Sequence, residues 1–195
     1  LYLNITNRCT NECGFCIRNL NREFNKEHQL WLDREPTAEE VIEAIGAPSR
    51  YKQIVFCGYG EPLIRLDVVK EVSRKLKAPR QSSGQVEIRI DTNGQANLFW
   101  GRNILPELHG LIDVISVSLD AENARKYEAL CRPAFGPQSY QAVIDFIKEA
   151  KKIIPKVEAS VVDIHSVDTV ACRRIAQELG VTFRLRTYYQ EAYVR

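Results

Sequence analysis

Residues 114–120 read Val-Ile-Ser-Val-Ser-Leu-Asp, and this stretch decides the fold class. Its apolar residues alternate with Ser and Asp, as in a β-strand whose two faces meet different surroundings. Residues 86–91 and 182–188 alternate in the same way. A strand covered by helices on both faces would be apolar throughout. The pattern therefore predicts a sheet with one face against helices and the other lining a polar interior, although an edge strand with one solvated face would also alternate.

Working outward, the chain repeats a short β-rich run, a turn and a helical pattern, which predicts an α/β fold with parallel strands. A polar interior then favours a closed or partly closed barrel over an open sheet. The capping box Thr37 to Glu40 begins the first helix, and Gly180 ends the last. The predicted strands are 1–6, 53–57, 86–91, 114–120, 157–163 and 182–188, and the later helices are 66–76, 123–130, 138–153 and 169–179. Six such units fill residues 1–195, so we expect one domain.

Composition excludes several classes of function. The 195 residues carry a formal charge of +2, which is too small to indicate a nucleic-acid partner. No apolar run approaches the roughly eighteen residues of a membrane span, so no membrane partner is predicted.

Three of the six cysteines, Cys9, Cys13 and Cys16, fall within eight residues, directly after the first strand. The carboxyl end of a strand is where barrel folds place their active sites. Three thiolates select zinc, copper(I) or an iron–sulfur cluster. A structural zinc site needs a fourth protein ligand, for which His28 is the nearby candidate. An iron–sulfur cluster held by three cysteines would instead leave one iron open to an outside ligand.

The CxxxCxxC spacing after the first strand, with Phe15 just before the last cysteine, resembles the signature of the radical SAM superfamily. The resemblance implies that Cys9, Cys13 and Cys16 hold a [4Fe-4S] cluster whose open iron is chelated by S-adenosylmethionine. It also implies a partial (β/α)6 TIM-like barrel with parallel strands.

Three later segments match that superfamily in order. The turn at 56–62 is similar to its GGE motif, although here it reads Gly-Tyr-Gly-Glu-Pro. Asp-Thr-Asn-Gly at 91–94 is similar to its TNG segment, and 116–120 resembles a segment that contacts the ribose and carboxylate of the cofactor. By this resemblance the cofactor contacts are Phe15, Gly58, Tyr59, Gly60, Glu61, Asn93, Ser118 and Asp120. Glu61 can pair with an ammonium group, whereas a plain strand-to-helix turn is the alternative for this segment.

The implied activity is that of an oxidoreductase: reductive cleavage of S-adenosylmethionine to methionine and a 5′-deoxyadenosyl radical that abstracts hydrogen from an unidentified substrate. Within the superfamily the chain most resembles the TatD-linked radical SAM proteins. Expected partners are a reductant such as flavodoxin or ferredoxin and a TatD-like hydrolase, and an oxygen-sensitive cluster indicates a cytoplasmic protein. Two alternatives remain open, a zinc-stabilised binding module using His28 and a barrel for polar methyl transfer.

Several further residues receive no catalytic assignment from the sequence. Arg184 and Arg186 could anchor an anionic group or form ion pairs with Glu87 or Asp91 across the barrel. Cys57, Tyr188 and Tyr189 lie near strand ends, where they could donate hydrogen or simply pack against their neighbours. No metal-ligand spacing involves His109 or His165. Only three scattered cysteines lie beyond the signature, so a second cluster is not expected, and the loop from Arg18 to Arg34, a partner or a large substrate would close the open side of the barrel.

Overall fold

The computed structural model describes residues 1–19, 23–24, 28–78 and 86–188. Strands and helices alternate along this part of the chain. In chain order they are β1 (Tyr2–Leu3), β2 (Glu23–Phe24), β3 (His28–Gln29), α1 (Ala38–Ile45), β4 (Gln53–Phe56), α2 (Leu66–Lys77), β5 (Glu87–Thr92), α3 (Ala96–Trp100), β6 (Val114–Ser118), α4 (Ala124–Cys131), α5 (Gln138–Ile153), β7 (Lys156–Asp163), α6 (Thr169–Leu179) and β8 (Thr182–Thr187).

Six strands form one parallel sheet in the order β1-β4-β5-β6-β7-β8, while β2 and β3 form a separate antiparallel pair. Each strand of the large sheet lies beside the one before it in the chain. The order therefore never reverses as it does in a doubly wound sheet. This confirms the predicted α/β fold with six parallel strands, in an order consistent with a partial (β/α)6 barrel.

Several elements differ from the prediction, among them the pair β2 and β3, which falls in the expected loop from Arg18 to Arg34. The first strand was expected over 1–6, but its ladder covers only Tyr2–Leu3. Beyond it the side chains bind the loop that follows: Asn4 donates to the carbonyl of Leu30, and the Thr6 hydroxyl donates to Glu35 at 2.5 Å. The short helix α3 was not predicted, because five residues ending at a left-handed Gly101 carry too little periodicity to be recognised.

Local signals at the predicted helix ends are confirmed. The Thr37 hydroxyl accepts from the backbone N–H of Glu40, and the Glu40 carboxylate accepts from the N–H of Thr37, which completes the capping box of α1. Gly180 ends α6 with φ of 66°, a left-handed conformation that favours glycine.

The two faces of the sheet have opposite chemistry, as the alternation predicts. Ile54, Ile90 and Val117 are fully or almost fully buried on the face covered by helices. On the other face Arg89 is also buried, and it donates to Asp91 at 2.6 Å and to Glu158 at 2.8 Å. Charged groups inside the barrel are thus neutralised by one another, which offsets much of the cost of burying them.

None of the helices in the described ranges combines the length and the apolar character that a membrane crossing requires.

Candidate functional site

A cavity of about 510 Å³ lies where the chain leaves the strands of the large sheet. The cysteine loop after β1 forms one wall, and the end of β8 forms another. Gly58 after β4, Asn93 after β5, Ser118 and Asp120 at the end of β6, and Val162 of β7 complete the lining. The residues that line it are Cys9, Asn11, Cys13, Phe15, Cys16, Ile17, Gly58, Asn93, Ser118, Asp120, Val162, Arg184, Leu185, Arg186, Thr187 and Tyr188.

The cysteine loop is anchored by backbone hydrogen bonds to the end of α4. The N–H of Glu12 donates to the carbonyl of Cys131 at 2.9 Å, and that of Gly14 donates to Leu130 at 3.0 Å. Within the loop the N–H of Cys16 donates to the carbonyl of Cys13 at 3.1 Å, which forms a tight turn. These hydrogen bonds fix the backbone conformation of the loop.

The three predicted ligand thiols line the same cavity. Cys13 also contacts the buried thiol of Cys131 through a side-chain hydrogen bond. As placed, no group of three Cys, His, Asp or Glu side chains among the described residues is close enough to hold a metal ion. The side chain of His28, the alternative zinc ligand, lies outside the described part of the chain.

Burial favours the protonated form of two of these thiols, Cys9 and Cys16. It raises the pKa of Cys9 to about 11, and the negative charge of Glu61 acts in the same direction. Burial also raises the pKa of Cys16. Metal binding requires thiolates, so a metal bound by Cys9 and Cys16 would displace their protons.

The turn at 58–62 packs against the start of the cysteine loop. A Cβ at Gly60 would lie 2.3 Å from the carbonyl oxygen of Thr6 and 2.6 Å from that of Arg8, so only glycine fits. Next to it, the N–H of Glu61 donates to the Arg8 carbonyl at 2.8 Å. Gly58 has φ of 119°, and a Cβ there would overlap the side chain of Asn4. The two glycines let this turn hold the chain immediately before Cys9.

The carboxylate of Glu61 is buried behind the cavity wall and is engaged by the protein itself. One oxygen accepts from the Thr92 hydroxyl at 2.7 Å and from the N–H of Leu63 at 3.0 Å. The other accepts from the N–H of Asn93 at 2.6 Å. Burial nevertheless raises the pKa of Glu61 to about 7. In this arrangement Glu61 ties the turn after β4 to the end of β5.

Elsewhere in the cavity lining, Ser118 and Asp120 contact Arg186 of β8. The Arg186 guanidinium donates to Asp120 at 2.9 Å and to Ser118 at 3.2 Å. Burial raises the pKa of Asp120, and Arg186 opposes that rise. Arg184, on the same face of β8, lies 4.0 Å from Asp91 and is more exposed. Arg184 thus forms the ion pair with Asp91 that was one of its two predicted roles, whereas Arg186 pairs with Asp120.

Five of the eight predicted cofactor contacts line the cavity, and three do not. Phe15, Gly58, Asn93, Ser118 and Asp120 line it. Tyr59, Gly60 and Glu61 lie behind its wall, and Tyr59 is buried with its ring 6.3 Å from that of Trp31. Cofactor contact by all eight stays a prediction.

Of the remaining candidates, only Tyr188 lines the cavity among the described residues. Tyr189 lies outside the described residues. Cys57 precedes Gly58 and is absent from the cavity lining; burial raises its pKa to about 12. Both His109 and His165 are exposed.

Sequence reasoning missed a buried polar cluster beneath the cysteine loop. The Tyr127 hydroxyl accepts from the side-chain amides of Asn11 at 3.1 Å and Gln95 at 2.9 Å, and Gln95 also donates to Asn11 at 2.6 Å. The cluster joins the loop, the end of β5 and α4. Its members lie far apart in the chain, and no spacing rule connects them; only the position of Asn11 between two cysteines could have drawn attention to it.

Comparisons with solved structures show the same fold. The chain superposes on Streptococcus suis SuiB with a TM-score of 0.68 at 16% identity, covering 100% of this chain and 41% of that one. For a radical SAM methyltransferase from Sphaerobacter thermophilus the TM-score is 0.63 at 16% identity, with 98% and 67% covered. For native anSMEcpe with bound AdoMet it is 0.67 at 14% identity, with 96% and 51% covered.

The chain thus spans from about two fifths to two thirds of the length of these proteins. No curated protein matches the sequence at a significant level. The family model described as the Radical SAM superfamily matches residues 3–169, which include the cysteine loop and every predicted cofactor contact. The chain therefore belongs to the Radical SAM superfamily.

Proposed function

We propose that this chain holds a [4Fe-4S] cluster on Cys9, Cys13 and Cys16 and uses it to cleave S-adenosylmethionine reductively, so that hydrogen is abstracted from a substrate. The observation that carries the proposal is that all three thiols line one cavity, together with Gly58 and Asp120 from two other strand ends. Binding of AdoMet by the structurally similar anSMEcpe supports it.

Membership of the superfamily implies both cofactors, the cluster and S-adenosylmethionine. The donor set of this chain fits the cluster, since three sulfur ligands suit iron and leave one position open. All three cysteines already line the cavity, and Cys13 would exchange its hydrogen bond with Cys131 for the metal.

When bound, the two cofactors together supply a 5′-deoxyadenosyl radical that takes a hydrogen atom from the substrate. The residues of the chain bind and orient. Ser118 and Asp120 present a hydroxyl and a carboxylate to the cavity, which suits the hydroxyl groups of a ribose. Arg186 fixes both side chains by hydrogen bonds. Gly58 contributes backbone alone to the cavity lining.

The finer assignment, to the TatD-linked group of the superfamily, rests on the sequence segments at 1–18, 56–63, 91–98, 101–108 and 186–189. We include in this proposal a flavodoxin or ferredoxin as electron donor, a TatD-like hydrolase as partner, an oxidoreductase reaction and a cytoplasmic location. A defined complex in sedimentation of the two purified proteins supports the hydrolase partner, and independent sedimentation at tens of micromolar rejects it.

The activity is tested by incubating the anaerobically reconstituted protein with S-adenosylmethionine and dithionite. We expect 5′-deoxyadenosine from the wild type and from Cys172→Ala, which changes a buried cysteine of α6, and none from Cys13→Ala. Equal yields from the two variants would exclude the assigned ligand set. A methylated product without deoxyadenosine would support polar methyl transfer instead.

A further inference from the structure

We propose that the side-chain amide of Asn93 raises the reduction potential of the cluster through an N–H···S hydrogen bond to Cys9. The inference rests on the proposed [4Fe-4S] centre. It gives Asn93 a role beyond the cofactor contact expected from its sequence, that of a positioning residue acting through Cys9.

The geometry places a donor against the sulfur. Nδ2 of Asn93 lies 3.6 Å from Sγ of Cys9, a distance suited to an N–H···S hydrogen bond. The backbone N–H of Asn11 donates to the same sulfur at 3.4 Å. Cys9 therefore accepts from one backbone donor and one side-chain donor, and only the second can be removed by substitution.

Asn93 is held in this orientation on every side. Its backbone N–H donates to Glu61 at 2.6 Å, and its side-chain oxygen accepts from the N–H of Gln95 at 3.0 Å. The second proton of its amide goes to the hydroxyl of Thr10 at 2.8 Å. Both amide protons are thus committed within the protein, which fixes the donor before any ligand binds.

The chemical consequence follows from charge. Reduction adds one electron to the cluster and its thiolates, and a hydrogen-bond donor at a ligand sulfur stabilises that added negative charge. Asn93 is only 8% exposed, so little solvent screens the interaction. The amide therefore favours the reduced cluster over the oxidised one and eases electron transfer from the reductant.

The test is a potentiometric titration of the reconstituted holoenzyme, followed by EPR of the reduced cluster. Asn93→Leu keeps the size and the backbone N–H and removes the amide. We expect the ratio of reduced to oxidised cluster at a fixed ambient potential to fall by roughly threefold to tenfold. A tenfold fall is a shift of about 59 mV to more negative potential for one electron.

The matched control is Gln95→Leu, which removes another buried amide of the same turn. The side-chain amide of Gln95 donates to Asn11 and Tyr127. The variant retains the hydrogen bond from the backbone N–H of residue 95 to the side-chain oxygen of Asn93. We expect its potential to stay at the wild-type value. Equal shifts in Asn93→Leu and Gln95→Leu would show general loosening of the turn and overturn the proposal.

A second measurement uses the wild type alone and so does not depend on the variant folding. With asparagine labelled by ¹⁵N in its side chain, pulsed EPR of the reduced cluster should detect a coupled ¹⁵N nucleus. Its absence, or an unchanged potential in a cluster-loaded Asn93→Leu, would overturn the role of Asn93. A wild type without iron and sulfide would instead overturn the proposed function itself, so the two failures are distinguishable.

Discussion

Oε2 of Glu61 accepts a hydrogen bond of 2.6 Å from the backbone N–H of Asn93, so the turn after β4 is tied directly to the end of β5. The side-chain amide of Asn93 in turn donates to Thr10 and Cys9. A buried carboxylate behind the cavity thus supports the segment that carries the first cysteine.

This carboxylate makes stability depend on pH. Burial raises the pKa of Glu61 from 4.5 to about 7, so the folded protein binds the proton more tightly than the unfolded chain. The stabilisation is complete below about pH 4.5 and is lost as the pH rises through 7, with a magnitude on the order of 3 kcal/mol. Glu61→Gln cannot titrate, so we expect the wild type to lose stability relative to this variant between pH 5 and 8. Urea unfolding of reduced, metal-free protein at a series of pH values measures the free energy of unfolding of both proteins. The same pH dependence in the wild type and in Glu61→Gln would contradict the prediction.

Gly60→Ala should destabilise the turn. The new Cβ would meet the backbone oxygens of Thr6 and Arg8, which cannot move without displacing the cysteine loop, at a cost of about 2 kcal/mol. The control is Gly14→Ala, whose Cβ meets only the tip of Arg132 at 3.2 Å and should cost no more than about 0.5 kcal/mol. Urea unfolding measures the loss in free energy of unfolding for both variants. Equal losses would show that the predicted backbone clash does not occur.

Arg186→Met should leave Asp120 buried without its ionic partner. We expect a loss of about 2 kcal/mol at pH 8, less than for a fully buried pair because Arg186 is about one-third exposed. The loss should be smaller at pH 5, since the pKa of Asp120 is already raised by burial and rises further without Arg186. The control Arg184→Met breaks only the 4.0 Å contact to Asp91 and should cost about 0.5 kcal/mol or less. A loss for Arg186→Met that does not change with pH would argue against the pairing.

Tyr127→Phe should weaken the polar cluster beneath the cysteine loop. Removing the hydroxyl leaves the amides of Asn11 and Gln95 with an unsatisfied donor in a buried site, which costs about 1 to 3 kcal/mol. Tyr140, whose ring packs 5.7 Å from that of Tyr127, is the control. Within the described ranges its hydroxyl makes no hydrogen bond, so Tyr140→Phe should change the free energy of unfolding little, and a comparable loss there would exclude the hydroxyl as the cause.

Much of the fold is predictable from sequence because its signals are local. Alternation along 114–120 marks the polar and apolar faces of β6, and Thr37, Glu40 and Gly180 mark helix ends through their own hydrogen bonds or backbone angles. The predicted length of β1 was wrong because the side chain of Asn4 donates to the carbonyl of Leu30 in the following loop.

The site is predictable as a set of loops but not as a set of contacts. The position of each motif after a strand was enough to bring Cys9, Gly58 and Asp120 to one cavity. Spacing could not show that Glu61 is engaged by its own neighbours or that Cys13 contacts Cys131. Those contacts depend on how α4 and β5 pack around the loop, which short-range patterns do not encode.

The central claim is that three thiols of this chain hold an iron–sulfur cluster with one open iron. Anaerobic reconstitution followed by iron, sulfide and zinc analysis tests it most directly. We predict about four iron and four sulfide per chain in the wild type, and loss of both in Cys9→Ala. Stoichiometric zinc without sulfide would contradict the account and leave a zinc-stabilised module in its place.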